Sequence, residues 1–214
     1  MARGKFITFE GGEGTGKSTQ LRLLAKRLRA LGHDVVETRE PGGTPGAEIV
    51  RDIIKTGAVE QFGPFAEAVM LTAARDDHVT HVIRPALEGG SWVLCDRFTD
   101  STRAYQGAAG GVDPEILTEM ERIAVGDTVP ELTVLLDAPP ELGLARAKAR
   151  ATSSGSTAPD RFEKEEQAFH AKLRDALLEI AHAEPQRCIV IDANRTKTQV
   201  AEDIWAAVVR RLKV

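Results

Sequence analysis

The chain has 214 residues, 42% of them hydrophobic and 28% charged, with a formal net charge of −4. That length suits one domain with a full hydrophobic core, and that balance excludes intrinsic disorder. The acidic surplus disfavours a nucleic-acid binder, and no apolar run approaches the ~20 residues of a membrane span.

The first five residues carry no signal-peptide apolar region and run into a strand-like segment, residues 5–10. A glycine-rich turn follows, Gly11-Gly-Glu-Gly-Thr-Gly16-Lys17-Ser18, then a helix with Leu21, Leu24, Leu28 and Leu31 at helical spacing. Arg22, Lys26 and Arg29 mark that helix's solvated face. Further strands are predicted at 35–39, 92–96, 132–137 and 188–192. These runs are continuously apolar, as in strands covered on both faces. Cys95 and Cys188 fall inside two of them as buried thiols, so no disulfide and a reducing cytoplasm are expected. Helical patterns separate the strands, among them Phe162, Phe169, Leu173, Leu177 and Ile180, and later Val200, Ile204, Val208 and Leu212. This alternation predicts a three-layer α/β fold: a five-stranded parallel sheet flanked by helices, one domain over residues 1–214. Ligands should gather at the carboxyl ends of the strands. Residues 151–159 are small, polar and unpatterned. They read as a mobile loop, either a surface excursion or part of a lid over about residues 146–163.

The turn after the first strand matches G-x-x-x-x-G-K-[ST] without mismatch, in the strand-to-helix context the motif requires. Gly11, Gly12, Gly14 and Gly16, with Glu13 and Thr15 between them, let backbone N–H groups turn inward around phosphate oxygens. The helix opening at Lys17, Ser18 and Thr19 presents unpaired N–H groups to the anion. Lys17 supplies a point charge for the β- and γ-phosphates of ATP, and the Ser18 hydroxyl can ligate Mg²⁺.

A GTPase switch would need Asp-x-x-Gly and Asn-Lys-x-Asp elements, and neither is present. The third strand instead ends Asp96-Arg97-Phe98. Asp96 is placed to partner Mg²⁺ or its waters, and Arg97 to clamp a second phosphate; the alternative is a plain strand-end charge pair. Two facing phosphate sites describe a nucleotide kinase. A helix running on from Arg97 would put Arg97, Ser101 and Tyr105 on one face at i, i+4 and i+8, with Gln106 beside them.

Phe9-Glu-Gly-Gly-Glu-Gly-Thr-Gly-Lys-Ser-Thr19, Thr38-Arg-Glu-Pro-Gly-Gly-Thr44, Asp96-Arg-Phe98 with Ser101, Ala104-Tyr-Gln-Gly107 and Asp160-Arg-Phe-Glu163 together resemble thymidylate kinase. The resemblance runs in order over nearly the whole chain. It implies ATP-dependent phosphorylation of dTMP to dTDP by in-line transfer in dTTP synthesis, with Mg²⁺ and in a homodimer. It implies that Arg97, Ser101, Tyr105 and Gln106 hold dTMP, with Tyr105 crowding the sugar 2′-position. Arg75 then reaches the base, and Leu71 stands where the family usually places a phenylalanine stacked on thymine. Arg39 or Glu40 faces the monophosphate, and Glu13 stands near the acceptor's 3′-hydroxyl and the metal shell. The phosphate loop lacks an arginine between Glu13 and Gly16, which resembles the bacterial type. Positive charge would then come from Arg146, Arg150 and Arg161 of the lid, Arg146 also touching ATP. Asp160 and Glu163 match acidic lid positions near the acceptor, and Asp192-Ala-Asn-Arg195 borders the adenine. His78 and His81 are too few to hold a metal and read as structural or surface residues. Two rivals stay open: another pyrimidine monophosphate or a deoxynucleoside as acceptor, and a nucleotide-driven switch with slow hydrolysis.

Overall fold

Five apolar runs extend as strands within a residue of where they are predicted: β1 (Phe6–Glu10), β2 (Val35–Arg39), β3 (Trp92–Asp96), β4 (Leu132–Asp137) and β5 (Cys188–Asp192). The computed structural model describes residues 3–153 and 166–214, the side chains of residues 150–153 excepted. All strands pair in parallel in the order β2-β3-β1-β4-β5. β2 and β3 therefore lie on one side of β1 and β4 and β5 on the other, and the order reverses at β1, which opens a crevice at its carboxyl end. Register aligns Phe9 with Asp96, Glu10 with Leu135, and Asp137 with Asp192, so four carboxylates (Glu10, Asp96, Asp137 and Asp192) edge that crevice.

The connecting helices are α1 (Lys17–Ala30), α2 (Pro45–Thr56), α3 (Gly63–His78), α4 (Arg84–Glu88), α5 (Thr99–Thr102), α6 (Pro114–Val125), α7 (Pro140–Ser153), α8 (Gln167–Ala183) and α9 (Lys197–Leu212). Two π-helical turns, Val79–Ile83 and Arg103–Ala109, continue α3 and α5. Leu21, Leu24 and Leu28 of α1 pack with Val200, Ile204 and Val208 of α9 over β1 and β4 on one face of the sheet. On the other face, Val79, Ile83 and Leu87 cover Phe6, Val93 and Cys95, while Leu173 and Leu177 of α8 cover Leu135. Each fully buried aliphatic side chain here contributes about 1.5–3 kcal/mol. Both cysteines are buried and free. Among the described residues no helix is long and apolar enough to cross a membrane.

Three local expectations need correction. Cover on both faces holds for β1, β3 and β4, but β2 and β5 are sheet edges and expose alternate residues, as with Glu37, Arg39, Val190 and Asp192. Leu31 does not belong to the α1 stripe: it is the C-cap residue, and 56% of it is exposed. The segment expected as a loop from residue 151 is still helical through Ser153, because α7 continues to that point.

Candidate active site

Backbone shape comes first at the β1–α1 turn. Gly11, Gly14 and Gly16 have φ of 140°, 65° and 97°, a region that disfavours side chains. A Cβ on Gly14 would lie 1.9 Å from the carbonyl oxygen of Gly143 in α7, so only glycine allows this backbone-to-backbone contact. Gly16 is the N-cap of α1 and offers no side-chain cap, which leaves the helix's first N–H groups open to an anion. Lys17 folds back over the turn, its Nζ donating to Gly11 O at 3.0 Å and Gly12 O at 2.7 Å. Burial and the nearby Arg97 charge pull its pKa down to about 8 against the pull of Glu13, Asp96 and Glu10. Ser18 donates its hydroxyl to Asp96 across the crevice.

Arg97 faces this turn. Its backbone takes φ of 71°, a left-handed turn that breaks the expected continuous helix; α5 starts only at Thr99. The side chain still reaches the expected wall. Its Nη2 donates to Glu13 Oε1 at 2.5 Å, its Nη1 to Ser101 Oγ at 3.2 Å, and its guanidinium lies 5.0 Å from the centre of the Tyr105 ring. The Tyr105 hydroxyl donates to the same Glu13 oxygen at 3.1 Å. Burial opposes ionisation of Glu13, yet the charges of Arg97 and Lys17 outweigh it and hold that carboxyl down to about 2. Burial keeps the Tyr105 phenol protonated well above its ordinary range.

Behind Arg97 stands Glu10, at the end of β1 and 1% exposed. Its carboxylate accepts from Phe98 N at 2.8 Å, Ser101 N at 3.3 Å and Ser101 Oγ at 2.6 Å. It thereby caps α5, which has no side-chain cap of its own. Burial, reinforced by the charge of Asp100, pushes its pKa up to about 7.

A second carboxylate organises the far wall. Glu40, 6% exposed, accepts from Arg75 Nε at 2.7 Å and meets His78 Nδ1 at 3.1 Å. The other His78 nitrogen lies 2.7 Å from Thr38 Oγ1. Arg75 also donates to Thr102 Oγ1 at 3.0 Å and Phe98 O at 3.3 Å, which ties α3 to α5. Between these walls opens a cleft of about 150 Å³, lined by Glu13, Glu40, Leu71, Arg75, Arg97, Ser101, Tyr105 and Gln106. It presents three guanidinium groups (Arg51, Arg75 and Arg97), hydroxyls and a half-buried leucine, a lining suited to an anionic, partly apolar ligand.

The crevice thus sets one phosphate-binding turn against an arginine-bearing wall. A family model described as thymidylate kinase matches residues 9–204. The chain belongs to the thymidylate kinase family. It is 56% identical over 214 residues to the thymidylate kinase of Nitrobacter hamburgensis, covering 100% of this chain and 92% of that one. It is 59% identical over 205 residues to that of Nitrobacter winogradskyi, covering 96% and 88%. The crystal structure of thymidylate kinase from Ehrlichia chaffeensis superposes with a TM-score of 0.77 at 29% identity, covering 96% of this chain and 99% of that chain. The α/β architecture is accordingly the P-loop NTPase fold.

Of the residues expected in a thymidylate kinase site, Gly11 to Ser18 surround the crevice and Leu71, Arg75, Arg97, Ser101, Tyr105 and Gln106 line one cleft. Thr19 lies exposed in the first turn of α1. Arg39 is turned away: it is the last residue of an edge strand, and its exposed guanidinium pairs with Glu48 at 2.8 Å. Its neighbour Glu40 lines the cleft instead. Arg146 donates to Ala193 O at 3.0 Å, which joins α7 to the turn after β5. Arg150 continues α7 in backbone only, and Asp160, Arg161, Phe162 and Glu163 lie outside the described residues. His78 is structural, and His81 sits exposed on Asp77. Glu10 and Arg51 were missed. A carboxylate ending the strand before a phosphate loop was the available signal for Glu10; Arg51, in the middle of α2, carried none.

Glu10 gives a pH test. Its ordinary pKa of 4.5 is raised to about 7, so between those values the folded state binds more protons than the unfolded state. Its contribution to stability is therefore full below about 4.5 and is lost as pH rises through about 7. Urea unfolding of the ligand-free protein across that window should show Glu10→Gln gaining on the wild type as pH rises. A stability difference that stays flat with pH would contradict the buried-carboxylate assignment.

Proposed function

We propose that this protein transfers the γ-phosphoryl group of ATP directly to dTMP, releasing ADP and dTDP for dTTP synthesis. The observation that carries this is the opposition of the Lys17 turn to Arg97, with Glu13 joined to both the turn and the cleft wall. A phosphate oxygen of dTMP attacks the γ-phosphorus as its bond to the bridging oxygen of ADP breaks, in line and with no phospho-enzyme. The acceptor is already an anion and needs no strong base. Rate then comes from positioning and charge neutralisation. Lys17 serves the donor phosphates and Arg97 the acceptor phosphate. Arg75 and Gln106 orient the base, and Tyr105 packs beside the sugar. Arg146, with Arg150 and Arg161 in the same role, adds positive charge from the lid side of one domain spanning 1–214, and Asp160 belongs to the acceptor side.

Ser18 and Asp96 fit Mg²⁺: a hydroxyl and a carboxylate, hydrogen-bonded to each other beside the phosphate loop, are hard oxygen donors. Among the described residues no cluster of three or more His, Cys, Asp or Glu gathers, which suits an ion that takes its other ligands from phosphates and water. When bound, Mg²⁺ neutralises charge on the donor phosphates. A cytoplasmic location accords with two buried free thiols.

Leu71, lining the cleft without an aromatic ring, favours a check on the acceptor. ADP release with Mg·ATP and each of dTMP, dUMP, dCMP, UMP, AMP and thymidine should be fastest with dTMP, with dTDP formed in equal amount. Another winner would move the acceptor; no phosphorylated product would leave a nucleotide-driven switch. Arg97→Ala should lower kcat/KM for dTMP by about a hundredfold or more. An unchanged value would remove Arg97 from the acceptor site.

A homodimer is part of the proposal. Ile49 on α2, Phe65 and Val69 on α3, and Ile116 and Ile123 on α6 are exposed on neighbouring helices, with Phe62 beside them 69% exposed. Such a patch marks an interface. Light scattering should give twice the chain mass for the wild type and a monomer for Phe65→Glu/Ile123→Glu; a monomeric wild type would refute it.

A further inference from the structure

We infer that Glu67 is a specificity-determining positioning residue, whose carboxylate locks the side-chain amide of Gln106 in one orientation toward the base. This rests on the phosphotransfer reading above and adds to it how thymine is told from cytosine.

Gln106 lines the cleft, and Glu67 stands behind it in α3. Gln106 Nε2 donates to Glu67 Oε2 at 3.1 Å, and both residues are 3% exposed. Glu67 shares its helix face with Leu71 and Arg75, at i, i+4 and i+8, so one stripe carries the residue behind the reader, the apolar cover and the guanidinium. The π-helical turn at Arg103–Ala109 brings Tyr105 and Gln106 to the cleft together, although they are adjacent in sequence.

The backbone of Gln106 has little freedom. Its carbonyl accepts from Val112 N at 3.0 Å. A Cβ on Gly107 would lie 2.9 Å from Leu117 Cδ1, and one on Gly110 would lie 2.7 Å from Gln106 O. What remains is rotation of the amide itself. An amide carries an acceptor and donors side by side, and a half-turn exchanges them. In one orientation it offers an acceptor to thymine N3–H and a donor to a thymine carbonyl. Flipped, it offers a donor to the bare N3 of cytosine and an acceptor to its exocyclic amine. A freely turning amide therefore reads both bases. Turning Gln106 would set its Oε1 against a carboxylate oxygen, two acceptors facing each other in a buried place, and that penalty holds the nitrogen toward Glu67.

The test is Glu67→Gln, which keeps the volume but can accept or donate and so releases the flip. Wild type and variant are compared by kcat/KM for dTMP and dCMP, with folding checked by circular dichroism. The dTMP-to-dCMP ratio should fall about tenfold, chiefly through KM, while the turnover of bound dTMP changes little. A ratio that stays the same, including equal loss for both acceptors, overturns the inference and leaves Glu67 a packing residue. Failure of the wild type to phosphorylate any monophosphate overturns the phosphotransfer reading instead. Should the variant not fold, a crystal structure of the wild type with dTMP decides: an amide bridging Glu67 and the base edge supports the inference, and an amide that leaves Glu67 or misses the base overturns it.

Discussion

The ion pair between Arg97 and Glu13 is the constraint on which the site depends. A carboxylate inside a loop shaped for polyphosphate repels what the loop must bind, unless a cation answers it. Arg97 answers it at 2.5 Å, from the end of β3. Unit charges ~4 Å apart attract by about 4 kcal/mol at an effective dielectric near 20. A left-handed arginine costs about 1–3 kcal/mol, so the pair, net of some desolvation, can hold Arg97 at its φ of 71°. The strain aims the guanidinium at Glu13, Ser101 and Tyr105 together, whereas a helical Arg97 would have joined the face of α5. The phosphate loop and the Arg97 wall are thus one electrostatic unit.

That unit is fastened to the sheet from behind. Glu10 takes the N–H groups of Phe98 and Ser101, which fixes the start of α5 relative to β1. Asp100, buried in the same turn of α5, is held by Arg187 through two bonds of 2.7 and 2.9 Å. Arg187 also donates to Thr133 of β4, so the anchor reaches the middle of the sheet. Two carboxylates near one another would repel if both were ionised and unpaired. Asp100 has the arginine, and Glu10, burdened by burial and by Asp100, keeps its proton up to about 7. The Arg97 wall gains rigidity from Glu10, Asp100 and Arg187 standing behind it, the kind of support that positioning of a ligand requires.

Much of this was legible in the sequence, for a physical reason. The strands are short apolar runs bounded by turn residues, and the phosphate loop needs glycines at set intervals, so both leave local signals. Leu71 and Arg75, or Ser101 and Tyr105, follow helical spacing and were legible as pairs. What depends on side-chain choice between neighbours was not. Arg39 and Glu40 are adjacent at the end of an edge strand, and burial of one forces exposure of the other; only the position of Arg75 and His78 across the cleft selects Glu40. The left-handed turn at Arg97 carries no glycine to announce it, and the π-helical turn that brings Tyr105 and Gln106 to one wall has the same composition as an ordinary helix.

The phosphate-loop side is rigid for a different reason, its contact with α7. Gly14 and Gly143 touch through their backbones, and a Cβ on Gly143 would in turn lie 2.2 Å from Glu13 O. The phosphate loop and α7 therefore cannot slide past each other without opening that contact. Arg146 ties the same helix to Ala193, and Arg174 ties α8 to Asp137 at 2.6 and 2.8 Å. Both α7 and α8 are thus bound to the carboxyl edge of the sheet, beside the phosphate loop. A cation carried by α7, such as Arg146, is held in a frame shared with the phosphate loop. The glycine at position 143, unremarkable in a helical pattern, is what permits that shared frame.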